Sequence, residues 1–218
     1  MLISAFLSLP NMEELNRQAH WENIYLTKTL EQVSWYQPLP ETSLRLLQEA
    51  RVPKDANIID IGGGDSFLVD HLLELGYQNI SVLDISATAI DRAKKRLGAK
   101  AEKVNWINED VVKFEPSEKF DFWHDRAAFH FLKSATDINN YIDCANRSLT
   151  PTGVLVIGTF SETGPKKCSG IEIQQYSAES LSARFSPQFE ALDCIYVDHQ
   201  TPFDTTQNFV FGKFKRQA

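Results

Sequence analysis

Asn57-Ile58-Ile59-Asp60-Ile61-Gly62-Gly63-Gly64-Asp65 is the stretch that decides how this 218-residue chain is read. Ile58, Ile59 and Ile61 make a short apolar run broken by one acid, three glycines follow at once, and Phe67 to Leu75 carries apolar residues at helical spacing. The order predicted is strand, tight turn, helix. Glycine is needed where a turn takes positive φ or where a ligand must lie against bare backbone. The helix start behind it offers unpaired N–H groups, so the turn reads as a ligand site.

What the turn lacks narrows the ligand. A dinucleotide fingerprint carries a third glycine where this chain has Phe67,. A phosphate loop closes with Gly-Lys-Ser/Thr, whereas Gly64-Asp65-Ser66 puts an acid in the lysine's place and would repel an anion. Asp60 and Asp65 suit a ligand with a cationic centre, such as the ammonium and sulfonium of S-adenosylmethionine. Asp60-Ile61-Gly62-Gly63-Gly64 resembles the first motif of class I S-adenosylmethionine-dependent methyltransferases.

Later features fall in the order this resemblance requires. Ser81-Val82-Leu83-Asp84 reads as a second strand ending in an acid about twenty residues after the turn, where a carboxylate can accept from both ribose hydroxyls,. Val104 to Asn108 reads as a third strand, followed by Glu109-Asp110-Val111. The resemblance implies that Asp110 takes the adenine amino group and that the next backbone N–H, that of Val111, meets the ring. Phe120-Asp121-Phe122-Trp123-His124-Asp125 is a fourth strand running into polar groups. Across roughly Asn57 to Thr159 the resemblance therefore implies a cofactor site of Asp60, Gly62, Gly64, Asp84, Ile85, Asp110, Val111 and His124. S-adenosylmethionine is the expected cofactor and S-adenosylhomocysteine its product.

Composition is that of an ordinary globular chain, 43% hydrophobic and 23% charged, with a net charge of −7,. A general basic footprint for nucleic acid is missing, and the densest basic run, Arg92-Ala93-Lys94-Lys95-Arg96, reads as the solvated face of one helix,. Cys144, Cys168 and Cys194 are scattered and odd in number, so neither a zinc site nor a disulfide framework is expected,. That pattern suits a reducing, cytoplasmic setting with no metal. Leu2 to Leu9 is apolar, but it lacks a basic flank and is shorter than a membrane span, so it reads as part of the fold or as a terminus,.

Residues 1–50 read as a helical cap or lid before a core of residues 51–218, the whole forming one compact domain. Glu13 to Tyr25 can be helical, Ser34-Trp35-Tyr36-Gln37-Pro38 is a loop, and Glu41 to Ala50 is a helix. Trp21, Tyr25, Trp35 and Tyr36 are either plain packing or a lid that keeps water from a reactive methyl donor. Ser86 caps a helix that runs to Leu97 and ends at Gly98,. Another helix begins at Thr136 or Asp137, Thr150-Pro151-Thr152-Gly153 is a turn, and Val154 to Thr159 is a fifth parallel strand,. Ser177 to Phe185 is a helix, and Phe189 to His199 pairs antiparallel with Asn208 to Lys215. The fold class is α/β: a Rossmann-like, seven-stranded, mostly parallel sheet with its last strand reversed and helices on both faces.

Ligands on such sheets bind outside the carboxyl ends of the strands, which brings the run His124 to Leu132 near the methyl group. Its Asp125-Arg126-Ala127-Ala128 resembles the Asp-Arg-x-Ala of thiopurine-type S-methyltransferases. His124, Asp125 and His130 are the catalytic candidates, with His199 a further histidine on the sixth strand,. The bland alternative pairs Asp125 with Arg126 and makes His130 a core histidine. In the long segment Phe160 to Tyr176, Lys166 and Lys167 are candidates for meeting an anionic acceptor, and Cys168 for facing the pocket,.

The activity expected is methyl transfer to a small-molecule acceptor through sulfur, oxygen or nitrogen. Two rivals stand beside it: a protein lysine methyltransferase, and a cofactor-binding partner protein without activity. A nucleic-acid substrate and a membrane are not expected, and the chain is expected to be a monomer or homodimer.

Overall fold

The computed structural model describes residues 17–217. The apolar run Leu2 to Leu9 and the start of the helix expected from Glu13 lie outside these residues. Seven strands form one sheet in the order β3-β2-β1-β4-β5-β9-β8. They are β1 (Asn57–Ile61), β2 (Asn79–Asp84), β3 (Val104–Asn108), β4 (Phe120–Arg126), β5 (Leu149–Phe160), β8 (Phe189–Gln200) and β9 (Thr206–Arg216). The first five are parallel neighbours, and β9 runs antiparallel to both β5 and β8. A two-residue hairpin, β6 (Lys167–Cys168) with β7 (Ile171–Glu172), lies in the segment after β5.

Both faces of the sheet are covered, which is why its central strands are apolar on alternate and on successive residues alike. On one face α2 (Glu41–Glu49) and α3 (Leu68–Glu74) set Leu46, Leu47, Leu68 and Leu72 against Ile58, Phe122 and Val156. On the other, α5 (Ala135–Ser148) and α6 (Ala178–Phe185) set Ile138, Tyr141, Leu181 and Phe185 against Ile59, Trp123 and Leu155. Each strand residue thus belongs to the layer opposite that of its neighbour.

Two local differences from the sequence reading have simple causes. Leu149, fully buried, already pairs with Phe120, so β5 starts before the expected turn Thr150–Gly153, and those residues form an irregularity inside the strand,. α5 begins at Ala135, one residue before the earlier expected start, because the Ser134 hydroxyl accepts from Asp137 N at 3.0 Å,. α4 (Ala87–Leu97) matches its expectation: the Ser86 hydroxyl accepts from Ala89 N, and Gly98 at φ 57 ends it.

The run Arg92 to Arg96 is a correction. Arg92 and Arg96 stand four residues apart and so share one face of α4; that face looks inward. Arg92 Nε lies 2.9 Å from Asp65, while Arg96 pairs with Asp65 at 2.5 Å and Asp70 at 2.8 Å. Only Lys94 and Lys95 of the run are exposed. Asp65 is consequently taken by two arginines instead of facing a cationic ligand.

Candidate functional site

The ends of β1, β2 and β3 converge, as parallel strands require, and the groups they carry line one cleft,. Gly62 stands at φ 65, a conformation in which a side chain is strained,. Gly64 clears space for the next strand's acid: a Cβ there would lie 2.4 Å from Asp84 Oδ2. Gly62, Asp84, Ile85, Asp110 and Val111 all line the cleft. Asp60 and Gly63 border a neighbouring recess that shares Gly62, Tyr25, Trp35 and Arg126 with it.

Asp84 accepts from Ser86 N at 2.8 Å. Burial pushes its pKa up to about 7 in spite of that bond, with Asp60 and Glu22 adding repulsion. Asp110 uses one oxygen for Val112 N at 3.2 Å and gives the other to Arg17 at 2.8 Å. Arg17 opens α1 (Arg17–Thr27) and reaches Asp137 as well, also at 2.8 Å. α1 is fixed at two further points. Glu22 accepts from Ala87 N at the start of α4, and Arg92 donates to the carbonyls of Tyr25 and Lys28 at 3.0 and 2.8 Å. Only Ile24 of this helix is buried, so polar contacts and the rings of Trp21 and Tyr25 hold it over the cleft.

Beyond the acids the cleft becomes aromatic. Trp21 meets Phe131 edge-on at 4.9 Å and Trp35 at 5.8 Å, and Tyr25 meets Trp35 at 6.3 Å. Phe160, Phe209 and Cys168 complete this end. Burial pushes the Cys168 thiol up to about 11 and the Tyr25 phenol well above its usual range, so both are protonated at neutral pH. Tyr36 stands instead in the recess, edge-on to Phe67.

The polar residues after β4 divide between the two faces. His124 and Arg126 point to the α2 side, and Asp125 points to the α5 side, because successive strand residues alternate. Asp125 is therefore not brought to the cleft. Its carboxylate accepts from Tyr141 Oη at 2.6 Å and from Ala128 N and Phe129 N at 2.8 and 3.2 Å. The ion pair with Arg126 considered from sequence is absent for the same reason. His130 is fully buried outside the cleft, where its Nδ1 accepts from Phe160 N at 3.2 Å; burial and the nearby Arg126 charge lower its pKa to about 3. His199 donates from Nε2 to Ser34 O at 2.8 Å, clamping the loop before Trp35, and burial with Arg126 lowers its pKa to about 4. His124 is held between Asp60 at 2.7 Å and Ser43 at 2.8 Å. Lys166 and Lys167 are exposed and line neither the cleft nor the recess.

Arg17 and Ser43 are site residues that the sequence reading passed over, and Arg126, read from sequence only within the Asp-Arg-x-Ala run and as a partner for Asp125, is a third. Arg126 Nη1 donates to Trp35 O at 3.1 Å and its guanidinium lies 5.1 Å from the Phe209 ring. Nη2 is buried without a protein partner, and burial lowers the group's pKa to about 10. A buried guanidinium with a free donor, where cleft and recess meet, is suited to an anionic group.

Residues 59–155 match the family described as methyltransferase domain. Malonyl-[acyl-carrier protein] O-methyltransferase 2 of Ilyobacter polytropus is 31% identical over 107 residues, 49% of this chain and 40% of that protein. EEF1A lysine methyltransferase 2 of Mus musculus is 28% identical over 119 residues, 50% of this chain and 48% of that protein. The chain spans less than half the length of these curated relatives. The solved 1,6-didemethyltoxoflavin-N1-methyltransferase of Burkholderia thailandensis, with bound S-adenosylhomocysteine, superposes with a TM-score of 0.72 at 16% identity, covering 99% of this chain and 94% of that one. Among the described residues no helix is long and apolar enough to cross a membrane. The strand order with its reversed β9, the glycine turn with acids at the ends of β1 and β2, and the match over residues 59–155 are the features of a class I S-adenosylmethionine-dependent methyltransferase domain, the family this chain resembles.

Proposed function

We propose that this chain transfers a methyl group from S-adenosylmethionine to a small-molecule acceptor. The observation that carries the reading is the order of groups across the strand ends, in the cleft and the recess beside it: Asp110 and Val111, then Asp84, then the glycine turn, then Asp60 and Arg126, with the aromatic chamber alongside. Adenine, ribose, sulfonium and the amino-acid end of the donor follow in the same order. The free Nη2 of Arg126 fits such a ligand, matching its carboxylate.

The donor supplies an activated methyl group on a sulfonium. What remains for the protein is alignment and exclusion of water, and α1 with the Trp35 loop roofs the chamber for that purpose. Among the described residues no histidine lines the cleft to serve the acceptor as a base. His124, His130, His199 and Asp125 are all engaged elsewhere, and Tyr25 and Cys168 are protonated. The acceptor therefore brings a nucleophile that is already ionised or carries no proton: a thiolate, a carboxylate or an unprotonated nitrogen.

The likeness to a lysine methyltransferase favours a protein acceptor as the second reading. The roof formed by α1 speaks against it, since a protein segment would have to pass beneath Trp21 and Trp35. Incubation with methyl-labelled donor and separated metabolite, protein and RNA fractions tests both readings. Label in a small molecule is the expected result; label in protein would select the rival, and donor binding without transfer to any fraction would leave a binding protein.

A further inference from the structure

Ser43, His124 and Asp60 form a continuous buried chain across three elements: α2, the end of β4 and the end of β1. Ser43 Oγ lies 2.8 Å from His124 Nε2, and His124 Nδ1 lies 2.7 Å from Asp60 Oδ1. None of the three is more than 3% exposed. The same order of groups activates a serine in hydrolases. Here the hydroxyl belongs to the body of a helix, and the carboxylate is the end that meets the glycine turn, with Oδ2 3.4 Å from Ser66 Oγ.

We infer that Ser43, acting through His124, is a positioning residue that presents Asp60 to the ammonium of the donor; this rests on the donor reading above. Two carboxylates border the recess behind the glycine turn, and Asp65 is neutralised by Arg92 and Arg96. Asp60 has no Lys or Arg partner among the described residues, so its charge is left for a ligand cation. A carboxylate only accepts, so the ring nitrogen facing it carries the proton. A Ser43 hydroxyl that donates to Nε2 selects the Nδ1–H tautomer of the ring,. A neutral ring orients Asp60 without cancelling its charge, whereas an imidazolium there would repel the ammonium. Arg126, at the border of the same recess, provides for the carboxylate, so the pair recognises both ends of an α-amino acid.

Two ligands separate this role from simple packing. S-adenosylhomocysteine carries the amino-acid end, and 5′-methylthioadenosine keeps the adenosine and sulfur without it. Titration calorimetry of wild type, Ser43→Ala and Ser43→Thr with each ligand is the test. Ser43→Ala is expected to weaken S-adenosylhomocysteine about three- to ten-fold, the range for one hydrogen bond, and to leave 5′-methylthioadenosine unchanged. Ser43→Thr, which keeps the hydroxyl, should restore most of the loss. Because each variant is read as a ratio between two ligands, a general loss of fold would lower both and is recognised at once. Equal weakening of both ligands, or no change for S-adenosylhomocysteine, overturns the inference while leaving the donor reading intact. Failure of wild type to bind either ligand overturns both.

Discussion

The Tyr141 hydroxyl stands 2.6 Å from Asp125 Oδ2, and this bond closes the carboxylate off from the cleft. The other oxygen holds the N–H groups of Ala128 and Phe129, and so fixes a turn in which Ala127 is forced to φ 75. Ala127 and Ala128 line the cleft. Asp125 thus shapes the wall of the site from behind.

Tyr141→Phe should accordingly cost stability and leave donor affinity nearly intact. It strips one hydrogen bond from a fully buried carboxylate, a loss of about 1 to 3 kcal/mol, or roughly 2 to 4 °C in melting temperature per kcal/mol for a chain of this size. Burial already raises the Asp125 pKa to about 6, with Tyr141 and the two backbone donors pulling it down. Without Tyr141 it should rise further. Thermal melts beside S-adenosylhomocysteine titrations decide the matter: an unchanged melting temperature with a large loss of affinity would move Asp125 into the site.

Asp84 should make donor binding depend on pH in the window around 7. The ribose hydroxyls donate, so they favour the carboxylate, and burial has pushed its pKa up to about 7. Below that value the proton must leave before the ligand binds, and affinity should fall roughly ten-fold per unit. Stability has the opposite sense. The folded protein holds this proton more tightly than an unfolded chain, whose Asp titrates near 4, so stability falls as pH rises between these two values. Asp84→Asn should bind S-adenosylhomocysteine weakly at every pH, yet gain about 1 to 3 kcal/mol of stability at pH 7.5, each pKa unit being worth about 1.4 kcal/mol. A variant that is less stable than wild type at that pH would refute the charge argument.

The strand ends were legible in the sequence because a parallel sheet brings all its carboxyl ends to one edge. Knowing that Asp84 and Asp110 end β2 and β3 was enough to bring them to one cleft. The residues after β4 could not be sorted that way. Whether His124 or Asp125 faces the ligand depends on the parity of a strand between two buried layers, and both its faces are polar at that point. Arg126 was readable only once Trp35 and Phe209, 91 and 83 positions away, were seen around it. Ser43 and Arg17 are single polar residues on helices, and nothing local marks them; their partners lie on other elements, 81 and 93 or more residues distant.

Arg17 spans Asp110 and Asp137 and so competes with the adenine amino group for the first of them. Partly exposed pairs of this kind contribute about 0.2 to 1 kcal/mol each. Arg17→Gln should therefore let α1 lift more often, with S-adenosylhomocysteine binding and leaving about two- to ten-fold faster. Stopped-flow exchange at low and high salt measures this, since the wild-type rates should approach those of the variant as salt screens the clasp. Identical rates in both proteins would mean that α1 does not gate the cleft.

The last expectation concerns the acceptor. With His124, His130, His199 and Asp125 all held by protein partners, and no histidine among the described residues lining the cleft, the turnover number against pH should follow the acceptor's own ionisation. Among related acceptors of one shape, a thiol that ionises near pH 7 should react well at neutral pH, and its alcohol counterpart should be poor until the medium is far more alkaline. His130→Gln and His199→Gln should leave that pH profile in place, although His199→Gln loosens the loop before Trp35 and should raise KM through the chamber wall. An enzyme base contributes about 10² to 10⁴ in rate, so its removal would be plain. A profile that keeps one fixed inflection whatever the acceptor, and loses it in one of these variants, would show that a protein group takes the proton after all.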